Sequence, residues 1–412
     1  MKTTVCIIGA GPAGLMAAIF AARADAAVTV VEANTTAGRK LLRTGGGRCN
    51  FTHADSVSDF IRALGPCGRF LRYCLHEFTP QDAIVFFEDR GIRTRTEADG
   101  CVFPASDRAS EIRDALTTEA QRMGARFLYD RKVEGLSKSS DGFFEVRTAR
   151  EVITAEKVII ATGGVSWPDT GSCGDGYRFA KKIGHSVVEP RGILVPLLTR
   201  EKWSHQLAGA ALDTVAISTG AGSKKQTVTG AMLFTHDGIG GPAVLNLSRA
   251  IAERLPSYQS PVEILIDMAV DSNAGRLEQK IIELCTESPK KTLTSIMTQF
   301  VPRRLAVILC AQAGIGEELT CSRLNKDSRR SLVRLLKALP LSVTDRRPIK
   351  EATVTRGGVS TSEIEPRTME SKISPGLFFA GEVIDVDGPC GGYNLQICWS
   401  TGALAGRSAA VK

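Results

Sequence analysis

An α/β fold with a nucleotide-binding sheet divided between the two ends of the chain is predicted by three observations. Residues 4–32 read as strand, glycine turn, helix and strand. Near Pro348 a β texture returns, and the chain closes on the strand GLFFAG and a last helix. Between these ends, from about 190 to 345, the texture changes, β-rich first and helical second. Residues 1–189 and 346–412 are accordingly expected to form one nucleotide-binding domain. Residues 190–270 are expected to form a β-rich insert on the substrate side, and residues 271–345 a helical insert. The length of 412 residues and the 43% hydrophobic content suit this division, since a single core stops growing at about 250–300 residues.

The elements follow in order. VCII after Thr4 is a short β-rich run, an Ala-rich helix spans about Ala13 to Ala24, and Val28–Val31 is a second apolar strand ending at Glu32. Together they form a β-α-β unit. Ser56–Arg90 carries apolar residues at helical spacing, and Gly91 stops it. Ser110–Gly124 is another helix with glycine as its C-terminal cap. Strands are expected at Phe127–Tyr129, from Lys132-Val133 onward, at Phe143–Arg147 and Val152–Thr154 as a hairpin, and at Val158–Ala161 before Thr162-Gly163-Gly164. Past Pro190, Ile193–Leu198, Ala208–Ser218, Gln226–Phe234 and Val262–Met268 read as strands. Leu277–Leu339 reads as helical, and a final helix covers about Asn394 to Ala410.

Charge and cysteines narrow the function classes. The 11 cysteines are scattered, with no Cys-x-x-Cys pair and no Cys/His cluster at metal-binding spacing, so no metal site and no disulfide framework is expected. Met1–Ala24 superficially resembles a secretory signal, but Gly9, Gly11 and Gly14 interrupt it at nucleotide-turn spacing. No apolar run is long enough for a bilayer. A cytoplasmic protein without a membrane partner is the expectation; oligomeric state is not legible. Residues 290–350 hold 13 Lys and Arg against four acids, so essentially all of the formal charge of +8 sits there. A solvated helical face is the first reading, because no aromatic residues interleave as stacking platforms. A surface for nucleic acid or an anionic substrate is the alternative.

The strongest motif is Gly9-Ala10-Gly11-Pro12-Ala13-Gly14. Gly9 permits the turn out of the strand, Gly11 lets backbone approach a pyrophosphate, and Gly14 permits close packing of helix on strand, a Rossmann-like arrangement. The helix N-terminus offers free N–H groups and a positive dipole. Glu32 is placed to accept from ribose hydroxyls and disfavours a 2′-phosphate. Three further segments favour FAD over NAD. Val158-Ile-Ile-Ala-Thr162-Gly163-Gly164 runs a strand into a glycine turn. Gly376 to Glu382, with Gly381-Glu382 at its end, matches a segment approaching the ribityl phosphate side. Gly391-Gly392-Tyr393-Asn394-Leu395-Gln396 opens the final helix, whose N-terminus suits the charge that a reduced flavin gathers at N1 and O2.

With these segments the sequence resembles the YhiN/BaiN-like family of NAD(P)/FAD-dependent oxidoreductases, which includes aminoacetone oxidase flavoproteins. The resemblance runs through GRKLLRTGGGRCNFT (Gly38–Thr52), GGVSWPDTGSCGDGY (Gly163–Tyr177), FTHDGIGGPAVLNLSR (Phe234–Arg249), TRGGVSTSEIEPRTMESK (Thr355–Lys372) and GEVIDVDGPCGGYNLQICWSTG (Gly381–Gly402). It covers essentially the whole chain and implies an FAD domain of the two-dinucleotide-binding type, a β-barrel-like insert and a small helical insert. It also implies Val133 as a backbone contact to adenine. The residues agree: Arg39, Lys40 and Arg48 add cations near pyrophosphate and flavin, Gly45, Gly46 and Gly47 clear space beside the ring, and Asn50 has a polar group for a flavin edge. Catalytic expectations fall on His236 as proton donor, on Arg48, and on Cys49 as a thiol beside the flavin. Asp385 and Asp387 flank the last motif, and Asp385 is assigned to the cofactor.

Three activities fit. In the first, NAD(P)H binds transiently and reduces FAD, which passes hydride to a small unsaturated or carbonyl-conjugated molecule. No second nicotinamide fingerprint exists; Gly238-Ile-Gly-Gly-Pro-Ala243 imitates one without a following acid. In the second, an amine is oxidised and hydrogen peroxide is released. In the third, a flavoprotein binds RNA through residues 290–350.

Overall fold

The computed structural model describes residues 1–219, 225–251 and 261–411, and the chain divides into two compact units, Met1–Gly192 with Ile349–Lys412, and Ile193–Pro348. In chain order the first unit contains β1 (Lys2–Ile8), α1 (Pro12–Arg23), β2 (Val28–Val31), β3 (Thr52–His53), α2 (Val57–Leu64), α3 (Gly68–Glu77), α4 (Pro80–Glu88), β4 (Thr94–Thr96) and β5 (Cys101–Pro104). It continues with α5 (Ala109–Arg122), β6 (Arg126–Leu128), β7 (Val133–Lys138), β8 (Phe144–Thr148), β9 (Val152–Ile160), α6 (Asp175–Lys182) and β10 (Val187–Ile193). The second unit holds β11 (Leu197–Thr199), α7 (Lys202–His205), β12 (Ala211–Thr219), β13 (Gln226–Phe234), β14 (Gly238–Gly240), α8 (Pro242–Ile251) and β15 (Val262–Asp267). Four helices follow, α9 (Ala274–Glu287), α10 (Leu293–Met297), α11 (Arg303–Gln312) and α12 (Lys326–Lys337), then β16 (Leu339–Arg346). The chain returns to the first unit for β17 (Val354–Val359), β18 (Leu377–Phe379) and α13 (Tyr393–Ala410).

The first unit is a Rossmann-like α/β domain. Its main sheet runs β6-β2-β1-β9-β8-β7, with β18 added against β9. The strands β6, β2, β1, β9 and β18 are mutually parallel. Buried on both faces, such strands need near-continuous apolar sequence, and all four residues of β2 are buried. β9 does two jobs. Its first half, Val152–Ala155, pairs antiparallel with β8, and its second half, Val158–Ile160, pairs parallel with β18. The sequence reads these halves as two strands because Glu156 and Lys157 interrupt the apolar run, yet the structure carries one strand straight through.

Helix α13 returns the end of the chain to its beginning. A Cβ placed on Gly402 would lie 2.4 Å from Ala13 O, and one on Gly406 2.3 Å from Ala17 O, so the two glycines let α13 lie backbone to backbone on α1. Trp399, on the same helix, is fully buried and donates from Nε1 to Phe51 O at 2.7 Å.

The second unit is a closed antiparallel barrel, β11-β14-β13-β12-β15-β16, carrying four helices between β15 and β16. It has its own buried core, including Phe234, Ile239, Leu247, Ile281, Leu305 and Leu336. Two differences from the sequence reading stand out. Ile193–Leu198 is not one strand: Leu194 takes φ +50 and the chain breaks there between β10 and β11. The segment read as helical to Leu339 ends at Lys337, and β16 closes the barrel by pairing with β11 and β15. The glycine run at 238–241, the weak nicotinamide-site imitation, is barrel strand β14, antiparallel to both neighbours. A Cβ on Gly238 would sit 1.9 Å from Leu197 O, so that glycine serves strand packing.

Candidate cofactor site

The glycine turn sits where β1 meets α1. Gly9 has φ +101, and a Cβ there would approach Ala161 O to 2.6 Å. A Cβ on Gly14 would collide with Gly9 O at 1.9 Å. Gly11 differs: it is the N-cap of α1 at φ −77, and a Cβ on it would meet no protein atom within 4 Å. Two glycines therefore pack the turn, while the third leaves open space over a helix N-terminus with no side-chain cap. That is the arrangement a pyrophosphate requires.

Glu32 closes the turn from the other side. It is buried, its Oε2 accepts from Ala10 N at 2.8 Å, and its Oε1 accepts from Asn34 N and Nδ2 at 2.8 and 2.6 Å. Its carbonyl accepts from Arg131 N, which brings the approach to β7 and the buried Val133 beside the end of β2. Arg39 donates to Asn34 Oδ1 at 2.7 Å. Asn34 thus links two residues that the sequence singled out, although it was not itself selected.

Lys40 and Glu382 find each other. Lys40 Nζ lies 2.6 Å from Glu382 Oε2 and 2.6 Å from Ser166 Oγ. Glu382 Oε1 accepts from Ser166 Oγ at 2.9 Å and from Thr355 N at 2.7 Å. The pairing ties together segments 342 residues apart in the chain. It makes Lys40 a held cation rather than a free one. Ser166 and Thr355 fall inside the GGVSW and TRGGV stretches but carried no individual signal, since hydroxyls are common and their partners lie far away in sequence.

The stretch from Thr44 to Asn50 is glycine-dependent. Gly45, Gly46 and Gly47 all take positive φ, at +57, +68 and +94. No protein atom lies within 4 Å of a Cβ on Gly46, whereas Gly45 is hemmed in by Asn50 N at 2.9 Å. Arg48 pairs with Glu97 at 2.9 Å and lies over the Phe103 ring at 4.1 Å. Cys49 departs from its expected role. It is fully buried with φ +65, and burial pushes its thiol up to about 12. A nucleophilic or redox-tuning thiol needs access and a stabilised thiolate; Cys49 has neither and packs the core.

Two buried side-chain atoms in this region, Asn50 Oδ1 and Thr162 Oγ1, have no hydrogen-bond partner, and the Tyr177 hydroxyl shares that condition. Buried polar atoms are nearly always satisfied, and each exception calls for a missing partner. Asn50 Oδ1 lies 2.8 Å from a Cβ built on Gly392, at the start of α13, so the loop from β3's approach and the terminal helix meet there. Gly163 takes φ +74 beside Thr162. Gly381 takes φ +74, its N–H donates to Thr401 Oγ1, and a Cβ on it would strike Ala13 Cβ at 2.7 Å. Gly391 and Gly392 turn the chain into α13 at φ +121 and +91.

Three C-terminal residues take structural duties that the sequence reading gave to the cofactor. Asn394 accepts from Gly388 N and donates to Gly388 O and Pro389 O, which fixes the turn ahead of α13. Gln396 is fully buried, donates to Phe78 O and Ser400 Oγ, and accepts from Thr52 Oγ1. Leu395 is buried beside it. Asp385 accepts from Gly357 N at 3.1 Å, and burial raises its carboxyl. Asp387 forms a two-pronged pair with Arg356, at 2.8 and 3.1 Å. His236 stands in the other unit, exposed in the turn between β13 and β14.

A constellation missed by sequence reading surrounds Gly391. The His53 ring stacks on Tyr393 at 4.9 Å, His53 Nδ1 is 3.1 Å from Asp55 Oδ1, and Tyr393 OH donates to Asp55 Oδ2 at 2.5 Å. His53 and Tyr393 are 340 positions apart, and only the return of α13 makes them neighbours.

The comparisons with known proteins agree with this architecture. A family model described as the HI0933-like protein Rossmann domain matches residues 3–408. The 3-dehydro-bile acid delta(4,6)-reductase of Clostridium scindens is 32% identical over 406 residues, covering 98% of either chain. The ribosomal RNA dihydrouridine synthase of Haemophilus influenzae is 33% identical over 403 residues, covering 96% of this chain and 95% of its own. Its Escherichia coli namesake is 32% identical over 399 residues, with 96% and 95% covered. Among solved structures, a flavocytochrome c3 fumarate reductase aligns over 99% of this chain and 78% of its own, with a TM-score of 0.53 and 19% identity. A 3-ketosteroid-delta4-(5alpha)-dehydrogenase from Rhodococcus jostii aligns over 100% and 97%, with a TM-score of 0.53 and 16% identity. At such identities the structural likeness concerns the fold.

Proposed function

The chain belongs to the HI0933-like Rossmann-domain family and is a flavoprotein oxidoreductase; from that premise we propose that it uses FAD, reduced by NAD(P)H, to saturate a carbon–carbon double bond conjugated to a carbonyl. The observation that carries the cofactor assignment is the pair of buried, unpartnered atoms Asn50 Oδ1 and Thr162 Oγ1, together with the open space over Gly11 and Gly46. A dinucleotide supplies the missing partners and fills both spaces. Bound FAD would supply the hydride chemistry.

The chain's own residues do the rest. The α1 N-terminus and the bare Gly11 receive the pyrophosphate. Glu32 holds the ribose, with Ala10 N and Asn34 fixing its carboxylate. Gly46 and Gly47 let backbone lie against the ring, and Asn50 meets a ring edge. Gly381, Glu382, Asp385 and Gly163 frame the stretch between pyrophosphate and ring. Lys40, already neutralised by Glu382, holds two segments of the site together instead of binding phosphate. NAD(P)H would serve as a transient hydride donor to the flavin.

The direction of reaction is supported by the relatives. One is named for reducing a 3-dehydro-bile acid at its 4,6 positions and two for making dihydrouridine. Both names describe hydrogenation of a ring double bond in conjugation with a carbonyl. The test is anaerobic. FAD-loaded protein should lose its flavin absorbance on adding NADPH or NADH and recover it on adding a cyclic enone or a uridine nucleoside. Bleaching by amines alone, with no response to nicotinamides, would overturn the reductase reading in favour of amine oxidation.

A further inference from the structure

The fold holds the His53 ring from two sides. Tyr393 stacks on it, with ring centroids 4.9 Å apart and 25° between the planes. Gly100 lies against it at φ +85, where a Cβ would come within 2.4 Å of His53 Cε1. The two ring nitrogens face different partners. Nε2 is 2.8 Å from the Asp99 carbonyl, which only accepts, so Nε2 carries a hydrogen. Nδ1 meets two groups of one residue, the Asp55 N–H at 3.3 Å and Asp55 Oδ1 at 3.1 Å. A neutral ring accepts at Nδ1 from that N–H, and a protonated ring donates to that oxygen. The ring therefore gains or loses a proton at Nδ1 without turning, and it is partnered in either state. Asp55 Oδ2 accepts from Tyr393 OH at 2.5 Å, which fixes the carboxylate. The Asp55 side chain is 29% exposed and gives Nδ1 a route to solvent.

The same ring borders the start of α13. A Cβ on Gly391 would lie 3.6 Å from His53 Cδ2 and 3.6 Å from Cys101 Sγ, and one on Gly392 would lie 2.8 Å from the unpartnered Asn50 Oδ1. α13 opens at Gly392 without a side-chain cap. Under the FAD reading above, Asn50 and this helix start are the groups that meet the flavin's ring edge.

Resting on that reading, we propose that His53 takes up a proton at Nδ1 as the bound cofactor is reduced, setting an imidazolium beside the negative charge that reduction brings to the ring edge. A hydride from NAD(P)H carries two electrons and one proton to the flavin, and one further proton passes from solvent to Nδ1. When the hydride moves on to the substrate, Nδ1 returns its proton to solvent. The other titratable groups around the ring are Asp55, the Asp99 carboxylate, which accepts from Cys101 N at 3.1 Å, the Tyr393 hydroxyl, and the Cys101 and Cys390 thiols. Asp59 on α2 is paired with Arg62, and Glu97, on the loop that carries Asp99, with Arg48 and Arg95. Burial pushes the Cys101 thiol up to about 12 and also raises the Cys390 thiol and the Tyr393 hydroxyl. Of these side-chain types only imidazole ordinarily exchanges a proton between about pH 5 and pH 8.

The experiment measures the midpoint potential of the full FAD-loaded chain by dithionite titration with mediator dyes, from about pH 5.5 to about pH 9. Dithionite reduces the flavin whether or not NAD(P)H is the natural donor. His53→Gln removes the cation that favours the reduced state. At about pH 6 and a fixed applied potential its ratio of reduced to oxidised flavin should fall roughly tenfold, the scale of one unit charge acting across a few ångströms of protein. The gap from wild type should close as pH rises through the imidazole range. Asp55→Asn, whose amide can donate to Nδ1 and hold the ring neutral, should shift the potential in the same direction, which covers the case in which H53Q folds poorly. Curves that superimpose on wild type, or an equal offset at every pH, overturn the proposal and leave the cofactor reading standing. Wild-type protein that takes up no FAD overturns both.

Discussion

At the scale of the residue, burial and hydrogen-bond partners separate groups that hold the fold from groups that await a ligand. Asn50 and Gln396 are both amides from the recognised motifs, yet Gln396 has three protein partners and Asn50 Oδ1 has none. Asn50→Ala should therefore leave thermal stability nearly unchanged and weaken FAD binding about tenfold, the worth of one buried hydrogen bond, as read by flavin fluorescence titration. Gln396→Leu should do the reverse, lowering the melting temperature because Thr52 Oγ1 and Phe78 O lose a partner in the interior. Glu119 offers a pH test. Its carboxylate accepts from Arg122, Arg90 and Arg23, and these bonds hold its pKa down to about 2 from a usual 4.5. A depressed folded pKa adds stability above the unfolded pKa and loses it as pH falls through the folded one. The contribution is about 2 kcal/mol after allowing for the exposed ends of Arg23 and Arg122. Urea denaturation should show Glu119→Gln less stable than wild type at pH 7, with the gap closing steadily between about pH 5 and pH 2.

At the scale of the element, glycine serves two ends, an open approach and a packed one. Gly11 is marked in the sequence by its motif, whereas Gly402 carries no such mark. A Cβ on Gly11 meets no protein atom, while one on Gly402 lands 2.4 Å from Ala13 O. Gly11→Ala should fold normally and lose FAD affinity, because the methyl occupies the space over the α1 N-terminus. Gly402→Val should drive α13 off α1 and lower the melting temperature by several degrees, since overpacking of this kind costs about 1–3 kcal/mol. Thermal melts by circular dichroism, with flavin titration on the same samples, check both. The dinucleotide turn was legible because its glycines, strand, helix and acid are close in sequence and each has a local reason. The α1–α13 contact was not, because its two halves lie about 390 positions apart and neither glycine has a positive φ to advertise it. The continuity of β9 through Glu156 and Lys157 escaped for a related reason: exposed charges break an apolar pattern without breaking a strand. The charge excess at 290–350 was visible as a number, but which cations are neutralised depends on Glu278, Asp267 and Asp237, and only the fold brings those acids into place.

At the scale of the whole molecule, the order of elements along the chain explains why the fold is divided as it is. β11 and β16, the first and last strands of the second unit, are hydrogen-bonded neighbours, with Leu197 opposite Arg346. The unit's two ends therefore leave it side by side, which is the geometry that lets one domain be inserted into another without disturbing either. The second unit also has a closed barrel and a core built from its own residues, and a closed barrel exposes no edge strand. Residues 193–348 expressed alone should consequently give a soluble protein with mixed helical and strand dichroism and a cooperative melt. Residues 1–192 alone should not fold. They lack β18, which pairs with β9, and α13, whose Trp399 and Gln396 fill the interior against Phe51 and Phe78. Removing these strips partners from one sheet edge and one face of α1, a loss far larger than the 5–15 kcal/mol that stabilises an ordinary domain. Adding residues 349–412 as a separate chain should restore folding to the fragment, and with it flavin uptake. Recovery of structure without flavin uptake would show that α13 serves the core but not the cofactor site.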